Sequence, residues 1–295
     1  MIVATSLAAC DGGPGDGDGA ATVVATTTQV GALARAVAGE RASVAQILEP
    51  NSDPHEYEPR PSDARAVAGA AVVLRSGGDL DEWLGDVLKN AGSDAQVVTL
   101  IDLMGTRRLP GEVDPHWWQD PRNAAIAVNA IRAALIAADP AGRDAYSANA
   151  AAYLKALRAL DERIEACIDE VPARERKLVT DHDALGYYAD RYDIELVGTV
   201  LPALSTQAQA SAGEVARLVR TIRREKVRTV FPESSVNRKL ADAIARDSGA
   251  QVGPSLYADT LGSEGSAGDT YIGSLQANTQ ALVAGFTGET GRCRL

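Results

Sequence analysis

The sequence predicts an α/β fold of two lobes, each a parallel sheet flanked by helices, joined by one long rigid linking helix. Three observations carry that reading. From residue 21 to about residue 101, short apolar runs of strand length alternate with stretches of helical periodicity. One unbroken helical pattern then spans 142–170, and from 177 the alternation restarts and runs to 286. Strands that alternate with helices form a parallel sheet covered on its faces, so two such blocks and one long helix imply two sheets and a spacer.

Each element has its own warrant. Residues 22–26 (TVVAT) are apolar and β-branched, a strand. Residues 29–39 put Val30, Leu33, Ala36 and Val37 on one helical stripe. Strand-like runs follow at 43–48, 71–74 and 96–101, with helical stretches at 62–68 and 80–89. Asp120-Pro121 opens a helix running to about 138, because aspartate is a favoured cap and proline a favoured first residue; Asp139-Pro140 stops it. The 142–170 pattern repeats at Tyr146, Ala150, Tyr153, Leu157, Leu160, Ile164 and Cys167, four and three apart by turns. Such a helix is roughly 40 Å long, more than either half of the chain needs for itself. Strands are then expected at 177–180, 194–200, 228–231 and 251–253, and helices at 184–192, 211–225, 236–248 and 270–286. The 211–225 helix carries a capping box, Ser211 with Glu214. The expected domains are a first lobe at 21–140, the linking helix at 141–170 and a second lobe at 171–295.

Composition narrows the function. Apolar residues make up 45% of the 295 and charged ones 23%, as in ordinary globular proteins. A net charge of −11 leaves no basic surface to displace counterions from nucleic acid. No stretch approaches the ~20 apolar residues of a membrane span. The start, Met1 to Ala9, is apolar and ends in Leu7-Ala8-Ala9-Cys10, which resembles the end of a bacterial lipoprotein signal peptide whose cysteine is lipidated. A positive leading region is missing, so the start reads as truncated. Residues 11–19 are a Gly- and Asp-rich tether. Segment 1–20 is thus read as signal-peptide remnant, lipobox and tether, and the chain as extracytoplasmic and membrane-anchored through Cys10. Cys167 and Cys293 are free to pair in an exported protein; their separation and contexts do not suggest a metal site.

The three histidines carry the chemistry. Two lie in identical tripeptides, Asp53-Pro54-His55 and Asp114-Pro115-His116. Proline stiffens each loop and biases the preceding residue to an extended conformation. A carboxylate two residues before each imidazole can set its tautomer and aim. A surface histidine beside a turn is the bland reading of one such tripeptide; two among three histidines favour ligation. His182, in Asp181-His182-Asp183, is also flanked by acids. His55, His182, Glu233 and Asp259 all follow expected strands, where open α/β sheets bind ligands. Facing lobes would bring His55 and His116 against His182 and Asp259.

The chain resembles the metal-binding lipoproteins of bacterial ABC importers for zinc, manganese and iron. The resemblance runs from about residue 21 and rests on five stretches in order. They begin at Asp53-Pro54-His55-Glu56-Tyr57-Glu58-Pro59-Arg60, Asp114-Pro115-His116-Trp117-Trp118-Gln119-Asp120-Pro121, Thr180-Asp181-His182-Asp183-Ala184-Leu185-Gly186-Tyr187, Phe231-Pro232-Glu233 and Leu256-Tyr257-Ala258-Asp259-Thr260. The resemblance implies His55, His116, His182 and Asp259 as metal ligands, with Glu233 an acid beside the site that supports without ligating. Tyr57, Trp117 and Trp118 pack the loops. It implies a monomer that delivers its ion to a membrane permease and its ATPase, and no enzymatic activity. In members similar to manganese and iron carriers the third ligand is usually a glutamate. Here it is His182, and three imidazoles with one carboxylate suit Zn2+ better than the harder Mn2+, which is the alternative. The zinc carriers' histidine-rich loop has no counterpart in 104–113 (MGTRRLPGEV). The competing class is a zinc-dependent hydrolase with a three-histidine site, against which Asp259 would close the open position. A surface adhesin with incidental metal is a third reading.

Overall fold

A computed structural model of the chain describes residues 21–109 and 111–295; Cys10 and its tether lie outside the described residues. The first lobe runs β1 (Thr22–Ala25), α1 (Thr28–Ala38), β2 (Ser43–Gln46), α2 (Pro61–Ala68), β3 (Val72–Arg75), α3 (Leu84–Ala91) and β4 (Gln96–Thr99). All four strands are parallel, in the order β2-β1-β3-β4. The central pair is buried on both faces. Val23, Ala25, Val72 and Leu74 point into one core, and Val24 and Val73 into the core on the other side. That two-residue alternation within a continuous apolar run is what a doubly covered parallel strand requires.

Two features depart from the expectations. The helix expected at 80–89 begins only at Leu84. Asp81 is occupied instead at the strand ends, where its carboxylate accepts from Thr26 Oγ1 at 2.8 Å, Ser76 N at 2.7 Å and Gly77 N at 3.0 Å. With Arg75 Nε as a fourth donor at 3.1 Å, this buried acid holds its own backbone out of the helix. Between β4 and the next helix, β5 (Arg108–Leu109) and β6 (Glu112–Val113) form a short antiparallel hairpin around Gly111, at φ +90°. Its two-residue strands are below the length at which hydrophobic alternation is readable.

The helix α4 (Pro121–Ala138) starts as its sequence demands, with the Asp120 side chain accepting from Arg122 N at 2.9 Å. The linking helix α5 (Arg143–Asp169) has 27 residues and buries Tyr146, Ala150, Leu157, Leu160, Ile164 and Ile168. Near its start Asn149 donates to Val37 O of α1 at 3.1 Å, and near its end Asp161 pairs with Arg191 of the second lobe at 2.9 Å. It packs on α1 and α4 of the first lobe and, further along, on the last helix.

The second lobe runs β7 (Lys177–Thr180), α6 (Gly186–Arg191), β8 (Glu195–Thr199), α7 (Ala212–Glu225), β9 (Thr229–Val230), α8 (Lys239–Ser248) and β10 (Gln251–Val252). β7 pairs with β8 and β9 with β10, all parallel, and a parallel bridge from Thr180 to Phe231 joins the pairs. The order is therefore second, first, third, fourth, the same as in the first lobe. The capping box at Ser211 and Glu214 is formed. Helix α6 is shorter than the expected 184–192 because the chain before it turns through His182, Ala184 N donating to His182 O at 2.9 Å. Helix α9 (Tyr271–Thr287), capped by Thr270, packs on α1 and α5. Beyond it Cys293 is bonded to Cys167 of α5, with Cα atoms 5.4 Å apart.

Candidate metal centre

Four side chains converge between the lobes. His55 sits in a one-turn 3-10 helix, Pro54–Glu56, after β2. His116 follows the β5–β6 hairpin and caps a second such turn, Trp117–Gln119. His182 comes two residues after β7. Asp259 lies on the 253–270 loop between β10 and α9. That loop leaves the second sheet at Leu256, which bridges to Glu233, and is then seated on the first lobe. Ala258 O accepts from Trp118 Nε1 at 2.9 Å and Gln119 Nε2 at 2.7 Å. Leu261 N donates to Thr28 Oγ1 at 2.9 Å. The two tryptophans are buried packing residues, and Trp118 also fixes the backbone beside Asp259.

The donor atoms face one another. His116 Nε2 is 3.4 Å from His55 Nε2 and 3.3 Å from His182 Nε2. Asp259 Oδ2 is 3.5 Å from His55 Nε2 and 3.1 Å from His182 Nε2, and Oδ1 is 3.3 Å from His116 Nε2. A tetrahedral zinc ion about 2.0–2.1 Å from each donor holds those donors about 3.3–3.4 Å apart. Both Asp259 oxygens are buried and accept no hydrogen bond. Two orphaned carboxylate oxygens cost several kcal/mol unless a cation faces them, so the residues present fit a bound divalent ion.

Behind two of the imidazoles stands a carboxylate. Asp114 Oδ1 is 2.7 Å from His116 Nδ1 and also accepts from His116 N at 3.0 Å. Glu233 Oε2 is 2.8 Å from His182 Nδ1, while Oε1 accepts from Thr180 Oγ1 and His182 N, each at 3.0 Å. A carboxylate on Nδ1 holds a proton there and leaves the Nε2 lone pair for the centre. The two Asp-Pro-His tripeptides differ in this respect. Asp53 accepts from His55 N at 2.9 Å and braces the backbone only. His182 takes its partner from Glu233, fifty residues on, rather than from either flanking aspartate.

Charge follows the same division. Burial lowers the His55 pKa to about 3, only partly offset by Asp259, so this imidazole is neutral throughout the physiological range. At His116 burial also opposes charge, but the Asp259 and Asp114 carboxylates outweigh it and raise the pKa to about 9. His182 is likewise raised, burial being outweighed by Glu233 and Asp259. Asp259, despite its burial, is held well below the usual carboxylate range by His182 and His116. The attraction of His182 and His116 thus keeps Asp259 ionised despite its burial.

Two contacts near the site have no sequence signature. Gln207, on the loop after β8, donates through its side chain to His55 O. Arg107 reaches Asp114 and Asp183 from opposite lobes. Neither belongs to a local pattern, since each depends on how the lobes face each other.

Two like lobes bridged by one long helix enclose a buried polar centre between them. The chain belongs to the family described as zinc-uptake complex component A, periplasmic, the metal-binding substrate-binding components of ABC importers; its model matches residues 23–285. The manganese-binding lipoprotein MntA of Halalkalibacterium halodurans is 34% identical, covering 97% of this chain and 96% of its own. The iron-binding protein YfeA of Yersinia pestis is 32% identical over 96% of this chain and 91% of its own. Among solved structures, the periplasmic zinc binding protein TroA of Treponema pallidum superposes with a TM-score of 0.86 at 27% identity, over 91% of this chain and 99% of that one. The family is one of uptake-complex components, and the further relative PsaA of Streptococcus pneumoniae is named a manganese ABC transporter substrate-binding lipoprotein, which overturns the hydrolase reading. No helix among the described residues is long and apolar enough to cross a membrane.

Proposed function

We propose that this chain captures a divalent transition metal, zinc in the first place, in a closed site made by His55, His116, His182 and Asp259. It delivers the ion to a membrane permease driven by an ATPase. The observation that carries the reading is the convergence of three imidazole nitrogens and one carboxylate without a hydrogen-bond partner, all within 4.8 Å of one another. Glu233 and Asp114 orient their imidazoles without ligating. In this reading residues 21–140 and 171–295 are the lobes and 141–170 the link. Cys10 anchors the chain by a lipid outside the cytoplasm, as the lipoprotein names of relatives suggest.

A second reading, manganese, is favoured by the names of several relatives, the Halalkalibacterium halodurans protein first among them. The donor set argues the other way, because three borderline nitrogens match zinc better than a harder ion that prefers oxygen. Elemental analysis of the purified chain, followed by competition titration of Zn2+ against Mn2+, separates them. Zinc preference above about a hundredfold supports the first reading; equal or reversed affinity sinks it.

A further inference from the structure

Arg107 immediately precedes β5, and its carbonyl accepts from Asp114 N at 3.0 Å, closing the base of the hairpin. Its Nη1 lies 2.8 Å from Asp114 Oδ2 in the first lobe and 3.2 Å from Asp183 Oδ1 in the second. Its Nε is 3.2 Å from Asp190 of α6. The backbone joins in. Arg107 N donates to Tyr187 Oη at 2.8 Å, and that hydroxyl donates to Asp114 O at 3.1 Å. Helix α6 is built to receive the guanidinium: a Cβ added at Gly186 would lie 2.2 Å from its Cζ and Nη1.

An exposed ion pair is worth little, and the contact to Asp190, 70% exposed, is one of these. Asp114 is different. Its side chain is fully buried, and its other oxygen holds His116 Nδ1. Asp114 needs no arginine to hold its place, since it already accepts from His116 N. What Arg107 adds is a connection to the other lobe, one residue from His182. Asp183 is the residue next to His182, so the connection is made directly beside a candidate ligand.

We propose that Arg107 is a positioning residue for ion capture, a latch from the carboxylate behind His116 to the second lobe that sets how long the bound ion stays. This rests on the metal-carrier reading above. Arginine suits the role because one planar group can serve several carboxylates at once, where an ammonium is a single point charge.

The test follows transfer of Zn2+ from the loaded full chain to excess chelating dye, in wild type, Arg107→Met, Arg107→Lys and Gly186→Ala. Arg107→Met is expected to release zinc at least about tenfold faster, equivalent to about 1.4 kcal/mol. Gly186→Ala, which displaces the guanidinium without removing it, should shift in the same direction. Arg107→Lys should fall between methionine and wild type, because its charge still attracts Asp114 and Asp183 but an ammonium cannot span them as the planar guanidinium does. The visible spectrum of bound Co2+ should keep its tetrahedral form in all four, since no donor changes. Melting of the metal-free proteins should stay within about 2 °C. Release from Arg107→Met at the wild-type rate overturns the latch, as does a lysine variant no better than methionine, or a metal-free melting loss in step with the release rate. If Arg107→Met does not fold, the lysine and alanine variants decide. If wild type takes up neither Zn2+ nor Co2+, the carrier reading itself falls and the latch with it.

Discussion

His182 meets Glu233 through Nδ1 and Asp259 through Nε2, so replacing it alters both the charge and the softness of the donor set. His182→Glu is expected to weaken Zn2+ binding more than Mn2+ binding in calorimetric titrations, since a nitrogen is exchanged for a hard oxygen. His55→Ala and His116→Ala each remove a donor without supplying another, and both ions should weaken. Glu233→Gln leaves every donor in place but removes the carboxylate on Nδ1, with an expected affinity loss of about 10–100-fold. Protons supply a further prediction. The raised pKa at His116, about 9, means that its pairing with Asp259 and Asp114 stabilises the metal-free fold fully below the unfolded value near 6.5. That contribution is lost as pH rises through 9. Zinc must displace the same protons, so binding at pH 7.5 should release about one to two protons per ion, and none from His55. Heats measured in buffers of different ionisation enthalpy count them; an identical heat in every buffer contradicts the assignment.

At the level of elements, the joint between α4 and α5 is held by Asp139, which accepts from Arg41 at 2.8 and 3.1 Å and from Tyr146 Oη at 2.8 Å. Those partners, Arg41 first, lower its pKa to about 2. A depressed carboxylate stabilises above its unfolded pKa and loses that contribution as pH falls through the folded one. Asp139→Asn should therefore lower the melting temperature at pH 7, and the gap to wild type should narrow from pH 4 towards pH 2. The Cys167–Cys293 bond closes a separation of 126 residues, for which the loop-entropy model gives about 5 kcal/mol. Thiol titration of the denatured, unreduced chain should find neither of these two sulfurs free, and the double serine variant should melt roughly 5–8 °C lower. Elements were legible where a period repeats over several turns, as in α1, α5 and α7, or where a cap is written locally, as at Asp120 and Ser211. They were not legible at α3, whose start yields to the buried Asp81, nor at the two-residue strands β5 and β6. The same division governs the site. His55 and His116 announce themselves in short stiff motifs. Asp259 has no motif of its own: its place after the expected 251–253 strand made it a candidate, and the family resemblance implied it as a ligand. Arg107 and Gln207 act across a gap that no stretch of sequence spans.

For the whole molecule, an ion that binds only the folded state adds about 4 kcal/mol at a thousand times its dissociation constant. Over a chain of 295 residues that is a melting shift of roughly 5–7 °C. The shift should be abolished in His116→Ala, whose donor is within 3.4 Å of each of the other three. The two sheets share one strand order, yet the lobes do not contribute equally. The loop bearing Asp259 is held to the second sheet at Leu256 and to Asn278 at Tyr257, and is then fastened to Trp118, Gln119 and Thr28, so Asp259 is tied to both bodies, His55 and His116 to the first and His182 to the second. In the proposed chelate His182 is then the one donor carried by the second body alone, and on lifting it would stay tethered beside the ion at an effective concentration that dissolved competitors do not match. On that proposal equilibrium affinity and the moment of surrender are separable: a partner that props the second body open would turn a binder into a donor by breaking one bond.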